Sequence, residues 1–167
     1  MIDFSFPAEV EEIRLKVRRF MEESVQPAWE AIDQKDRSQV VKTIVKLRKE
    51  AKEERGLWLP HMPKEWGGMG LGPTAMAAVS AEAAKVSIGP FVLNAQAPDE
   101  GNQHTILHWG TPEQKEKYLR PLCEGTARSC FAMTEPEVAG SDPTLIKTFA
   151  YKDGDEWVIN GHKWFIS

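Results

Sequence analysis

The sequence predicts a mainly α protein, with an all-helical block over residues 1–127 followed, over residues 128–167, by the first strands of an antiparallel sheet. Three observations carry that expectation. Apolar residues recur at steps of three and four through most of the chain, the period of one helix face. Glycines and prolines fall between those runs, where helices stop. Near residue 128 the period changes to two, and the turn pairs Asp153-Gly154 and Asn160-Gly161 follow. At 167 residues, 41% hydrophobic and 28% charged, the chain is long enough to bury a core and too apolar for general disorder.

The first segment, Pro7 to about Gln34, carries Val10, Ile13, Val17, Phe20, Met21, Val25, Trp29 and Ile32 on one stripe. Pro7 suits a first helical turn, whereas Pro27 predicts a kink or an end near Gln26. A second helix is expected from about Ser38 to Arg55, with Val40, Val41, Ile44, Leu47 and Ala51 inward and Gly56 as a left-handed cap. Leu57 to Pro73 is punctuated by Pro60, Pro63, Gly67, Gly68, Gly70 and Gly72, which predicts irregular chain. Thr74 to Val86 is rich in Ala and apolar nearly all round, hence a helix buried on most sides. Ser87 to Pro98 reads as a loop, and Glu100 to Trp109 as a helix stopped by Gly110. Thr111-Pro112-Glu113-Gln114 is a capping box opening a helix with Tyr118, Leu119 and Leu122 on its apolar side, ending at Gly125.

Beyond that glycine, Arg128 to Thr134 reads as a strand, Leu145 to Tyr151 alternates, and Asp153-Gly154-Asp155 is a hairpin turn signal. Trp157 to Ile159 is a further strand, and Lys163 to Ser167 begins another. So few strands would leave aromatic side chains and an edge uncovered, so the sequence is expected to be part of a longer polypeptide.

Several function classes are disfavoured. The net charge is −4, and the basic stretch Lys42 to Arg55 is broken by Glu50, Glu53 and Glu54, so no phosphate-neutralising face is expected and no nucleic-acid partner. No apolar run is long enough for a bilayer span, and Met1 to Pro7 lacks the basic and apolar regions of a signal peptide. Two cysteines, Cys123 and Cys130, lack metal-ligand spacing and suggest a reducing compartment, with a cytoplasmic location expected and a mitochondrial or peroxisomal one left open. Gly68-Met69-Gly70-Leu71-Gly72 has the wrong spacing for a dinucleotide loop. His104 and His108 stand four apart, as zinc ligands do, but Thr105 sits where a metalloprotease carries glutamate and no third ligand is evident, so no metal is expected. Asp99 and Glu100, next to Pro98, suit a first helical turn better than acid–base chemistry.

One constellation stands out. Cys130 to Thr134 leads into Glu135-Pro136, then into a small-residue turn with Gly140, Ser141 and Asp142. Backbone N–H groups of Gly140 and Ser141 and the Ser141 hydroxyl could meet a phosphate. Downstream, Phe165 and Ser167 stand two apart, on one face of a strand, where an aromatic and a hydroxyl suit a planar ring. A packed hairpin with a polar turn would carry the same residues, and the pattern alone leaves both readings open.

At these residues the sequence resembles the acyl-CoA dehydrogenase family. The resemblance runs nearly end to end: the opening helices, Pro63-Lys64-Glu65-Trp66-Gly67-Gly68, Gly110-Thr111-Pro112-Glu113-Gln114-Lys115, the Thr134-Glu135-Pro136 to Gly140-Ser141-Asp142 signature, and Ile159-Asn160-Gly161-His162-Lys163. It implies an N-terminal helical domain, a middle antiparallel β-barrel and a C-terminal helical domain, of which this chain holds the first and the opening strands of the second. It also implies FAD as cofactor, with Phe131, Met133 and Thr134 along the flavin, Gly140 and Ser141 near the pyrophosphate and the thioester substrate, and Phe165 and Ser167 in the aromatic-x-hydroxyl element at the flavin's reactive edge. Two departures are visible: the common pattern has Trp at Phe165, and Glu137-Val138-Ala139 is one residue longer than in many members, as in the subgroup fused to kinase-like domains.

The implied reaction is α,β-dehydrogenation of acyl-CoA thioesters, within fatty acid metabolism. An electron-transferring flavoprotein would be the redox partner, and the full-length protein is expected to be a homo-oligomer. The family's base is a glutamate expected beyond residue 167, so no catalytic residue is nominated and the chain by itself is expected to be inactive. An acyl-CoA oxidase or flavin monooxygenase of the same fold, or a helical interaction module without cofactor, are the alternatives.

Overall fold

The computed structural model describes residues 5–166. The chain divides into two compact units, Met1–Arg128 and Ser129–Ser167.

The larger unit is helical. Its first helix, α1 (Ala8–Phe20), passes through one widened turn, Met21–Val25, into α2 (Gln26–Glu30). The widening has a cause in the sequence. Pro27 lacks an N–H and its ring would strike the carbonyl of Glu23 in a regular helix. Opening the preceding turn, so that Gln26 N–H reaches back five residues to the Met21 carbonyl, lets the helix continue past the proline. The same solution recurs at Pro121, which follows the widened turn Lys115–Leu119. Pro27 therefore neither ends the helix near Gln26 nor forces a break there.

Next, α3 (Arg37–Glu50) is capped by Asp36, whose carboxylate accepts from the N–H groups of Ser38 and Gln39. A widened turn, Ala51–Arg55, ends it at Gly56, which takes the left-handed φ of 62° expected of a C-cap. Leu47 and Ala51 are buried as the pattern implies, but Val41 is half exposed, because the helix offers the core a narrower stripe than the apolar spacing suggested. The stretch after Gly56 is irregular apart from one short 3₁₀ turn, Lys64–Trp66, yet Leu57, Trp58, Leu59 and Met62 are buried. Trp58 satisfies its indole N–H on the Cys123 carbonyl at 2.9 Å.

The remaining helices are α4 (Pro73–Ala83), a short α5 (Gly89–Val92), α6 (Asp99–Trp109), α7 (Pro112–Gln114) and α8 (Arg120–Glu124). The capping box at Thr111 and Gln114 is formed in both directions. Tyr118 lies half exposed with Lys117 over its ring, while Leu119 and Leu122 are buried. The main core gathers Val17, Phe20, Met21 and Val25 with Leu47, Val79, Val92 and Leu93. No helix among the described residues is long and apolar enough to cross a membrane.

The smaller unit contains one hairpin, β1 (Phe149–Asp153) paired antiparallel with β2 (Glu156–Asn160), joined at Gly154, whose φ of 59° supplies the primed turn. Two segments expected as strands are not strands. Residues 128–134, and 163–166 of the segment expected to run from Lys163 to Ser167, are extended or bent chain without a ladder, since a strand needs a row of partners and these segments share a single backbone bond, Trp164 N–H to the Thr134 carbonyl at 3.0 Å; Ser167 lies outside the described residues. Both faces of the hairpin are apolar and open: Phe149 and Tyr151 on one, Trp157 and Ile159 on the other.

Phe20 is fully buried at the centre of the main core, so Phe20→Ala should cost about 3–5 kcal/mol by leaving a cavity. Urea unfolding followed by circular dichroism checks this; a loss under about 1 kcal/mol would mean that the core can collapse around the gap.

Candidate functional site

In the smaller unit the chemistry-bearing residues are organised by Glu135, which is 3% exposed. Its carboxylate accepts from the Lys147 N–H at 2.7 Å, the Thr148 N–H at 2.8 Å, the Thr148 hydroxyl, and the Lys163 ammonium at 3.0 Å. Hydrogen bonds from the Thr148 hydroxyl, then from the Lys147 and Thr148 N–H groups and Lys163, hold its carboxyl at about 2 against the opposing effect of burial. Lys163 also donates to the Met133 carbonyl at 2.8 Å. Gly161 is required beside this cluster. A Cβ there would stand 2.0 Å from the Thr148 hydroxyl oxygen, so any side chain would displace the group that donates to Glu135.

Around that anchor the sequence-predicted residues fall as follows. Phe131, Met133 and Thr134 lie on one extended segment and all three are exposed. The Thr134 hydroxyl has no protein partner among the described residues, although the Thr134 carbonyl is taken by Trp164. Gly140 is brought next to Thr134; a Cβ on it would lie 3.7 Å from the threonine methyl. Ser141 is exposed in the same turn, and Asp142 next to it caps the short turn Pro143–Leu145 through the Thr144 N–H at 3.0 Å. Phe165 is 85% exposed and packs edge-on to Trp164 at 5.1 Å. Its φ of 50° is left-handed, so the extended chain is interrupted at this residue. Ser167 itself lies outside the described residues.

Glu135 and Lys163 stand within the motifs of the sequence and Thr148 within an alternating run, but the sequence assigns none of the three a role. A carboxylate directly before a proline, followed by a lysine set in an apolar run, was the available signal. Glu137, two residues further on, meets His162 Nδ1 at 2.8 Å, which holds its carboxyl below the usual range.

The larger unit has its own polar interior. Glu82 is 4% exposed and takes Arg14, Arg18 and Lys85; hydrogen bonds from Arg18, then Lys85 and Arg14, hold its carboxyl at about 2. Asn94 joins the Arg48 guanidinium to the Leu122 carbonyl, each at 2.9 Å. Gln103 reaches the same carbonyl at 3.1 Å and meets His61 Nε2 at 2.6 Å. Burial pushes the His61 imidazole down, and it pushes the Cys123 thiol up to about 11. His104 and His108 stack with centroids 6.2 Å apart, and no group of three His, Cys, Asp or Glu among the described residues could hold a metal ion. Asp99 pairs with Arg128 and with Gln96, which makes it a structural acid. Gln96 borders a cavity of about 360 Å³ lined by Val79, Ala83, Phe91, Leu93 and other uncharged residues, and its Oε1 is buried without a hydrogen-bond partner.

Comparison with known proteins gives a consistent picture. The family model for the N-terminal domain of acyl-CoA dehydrogenases matches residues 7–126, and that for their middle domain matches residues 130–167. Acyl-CoA dehydrogenase family member 11 of Gallus gallus is 38% identical over 94% of this chain, which covers 21% of that protein. A Mycobacterium abscessus structure assigned to the acyl-CoA dehydrogenases superposes with a TM-score of 0.86 at 34% identity, covering 98% of this chain and 43% of its own. The acyl-CoA dehydrogenase of Bacillus anthracis complexed with FAD superposes with a TM-score of 0.65 at 27% identity, covering 99% of this chain and 28% of its own. The chain therefore spans less than half the length of each of these relatives.

Glu82 and Glu135 both titrate at about 2 when folded, against 4.5 ordinarily. A carboxyl depressed on folding contributes stability that is complete above its ordinary value and lost as pH falls through the folded one. Urea unfolding at a series of pH values should show stability falling between about pH 5 and pH 2, with Glu82→Gln flattening part of that slope. An unchanged slope in the variant would contradict the assignment.

Proposed function

The chain belongs to the acyl-CoA dehydrogenase family, and from that premise we propose that it forms the N-terminal part of an FAD-dependent enzyme that dehydrogenates acyl-CoA thioesters between their α and β carbons. The observation that carries the proposal is the arrangement around Thr134: an exposed, uncommitted hydroxyl on a segment whose backbone is fixed from both sides, with Gly140 beside it.

The residues present suit a flavin. Phe131 and Met133 offer exposed apolar surface on the same segment as the Thr134 hydroxyl, a pairing that fits a planar ring with a polar edge. Gly140 and Ser141 keep the neighbouring turn small and rich in donors, which suits a pyrophosphate or the thioester substrate. In this reading Phe131, Met133, Thr134, Gly140, Ser141, Phe165 and Ser167 bind the cofactor, and Ser141 also meets the substrate. FAD, when bound, supplies the acceptor for the hydride that leaves the β carbon. The protein's part is to orient the reactants and exclude water.

Proton removal from the α carbon needs a carboxylate free to accept. Glu135 is saturated with donors and held at about 2, and Glu137 is engaged by His162, so neither is suited to it. The family resemblance implies a glutamate base in polypeptide outside these 167 residues, and in this reading the 167 residues by themselves are inactive. The open apolar faces of the β1–β2 hairpin fit a sheet that continues into a larger middle domain. Electrons would pass to an electron-transferring flavoprotein, and the whole protein would be a homo-oligomer.

The test is made on the whole polypeptide that contains this chain. It should retain yellow FAD through gel filtration, and Thr134→Val, which removes one hydrogen bond, should weaken FAD by about tenfold. An acyl-CoA should reduce a dye with that preparation and not with the 167 residues alone. Absence of bound flavin, or thioester-dependent dye reduction by the short chain, would contradict the proposal.

A further inference from the structure

Thr134 and Glu135 are neighbours in extended chain, the first exposed and the second 3% exposed. The carboxylate draws in Lys147 and Thr148. Lys163 bridges the same carboxylate and the Met133 carbonyl, and the next residue, Trp164, donates to the Thr134 carbonyl. Three stretches of chain, near residues 133–135, 147–148 and 163–164, are thus tied by one side chain. With the Met133 and Thr134 carbonyls both occupied, the peptides around Thr134 cannot rotate without breaking a charge-assisted bond from Lys163 or a backbone bond from Trp164.

From this geometry we propose that Glu135 is a positioning residue for the flavin site, its buried carboxylate fixing the direction in which the Thr134 hydroxyl is presented. The inference rests on the flavin reading above. It assigns Glu135 no contact with flavin or substrate. Its effect passes through Thr148, Lys147 and Lys163 to the backbone that carries Thr134. The glycine at 161 belongs to the same device, because it leaves room for the Thr148 hydroxyl to reach the carboxylate.

A glutamine at 135 keeps the shape but turns an amide NH₂ toward a pocket of two N–H groups, an ammonium and a hydroxyl, of which only the hydroxyl can accept. The test uses the flavin-loaded whole protein with Glu135→Gln and, independently, Thr148→Val, which removes a single donor to the carboxylate. Flavin affinity, the shape of the visible flavin spectrum and the reduction potential are read beside the melting temperature. Glu135→Gln should weaken FAD by about tenfold and alter both the spectrum and the potential at temperatures where the protein is folded. Thr148→Val should move the same quantities in the same direction by less. Glu135→Asp, which keeps the charge, should recover part of the affinity. If the melting temperature falls in both variants while spectrum, potential and affinity stay at wild-type values, the role is structural only and the proposal is overturned. Should Glu135→Gln fail to fold, an unchanged flavin in Thr148→Val overturns it equally. A wild-type protein that holds no flavin sinks the functional reading first and this inference with it, a result distinct from flavin bound normally in both variants.

Discussion

Taking a carboxylate out of water is unfavourable unless donors replace the lost hydration. Glu135 is almost wholly withdrawn, and the donors it takes come from segments 12 to 28 residues away. In a stretch with one two-stranded hairpin and few buried apolar side chains, that demand organises the chain more than packing does. It brings Lys147 and Thr148 to residues 133–135, it recruits Lys163, and it leaves Thr134 facing outward. Each consequence follows from satisfying one buried charge.

The larger unit is built differently. Its order comes from apolar burial, with Phe20, Met21 and Val25 packed against Leu47, Val79 and Val92, and its buried acid, Glu82, fastens α1 to α4 through Arg14 and Arg18. Prolines are absorbed by widening the preceding turn, so that two helices run on where a regular backbone would have clashed. The polar side chains inside it, Asn94 and Gln103 among them, converge on the Leu122 carbonyl and settle the irregular chain after Gly56 against α8.

Much of this was legible in the residues. Local chemistry identified the Thr111 capping box and the glycine caps at positions 56 and 125, because such signals act over three or four residues. The helical stripes of α1 and α4 were readable for the same reason. Solvent exposure of Val41 and Tyr118 was not, since a periodic pattern says which face is apolar but not how much of it finds a partner. The strand expected over residues 128–134 failed because strand character resides in pairing across the sequence, and there a single backbone bond to Trp164 is made. Glu135 escaped notice on the same ground: nothing local reveals that Thr148 and Lys163 will surround it. Family resemblance singled out its neighbours, and the physics of the buried charge accounts for Thr134 being left exposed beside it.

A crystal structure of the whole protein with FAD would test the central claim most directly. The account predicts the isoalloxazine beside Met133 and Thr134, with the Thr134 hydroxyl at the pyrimidine edge and the Glu135 carboxylate still holding Thr148 and Lys163 beneath it. Flavin bound away from this segment, or a Glu135 carboxylate turned out to contact the flavin or the acyl group, would contradict it.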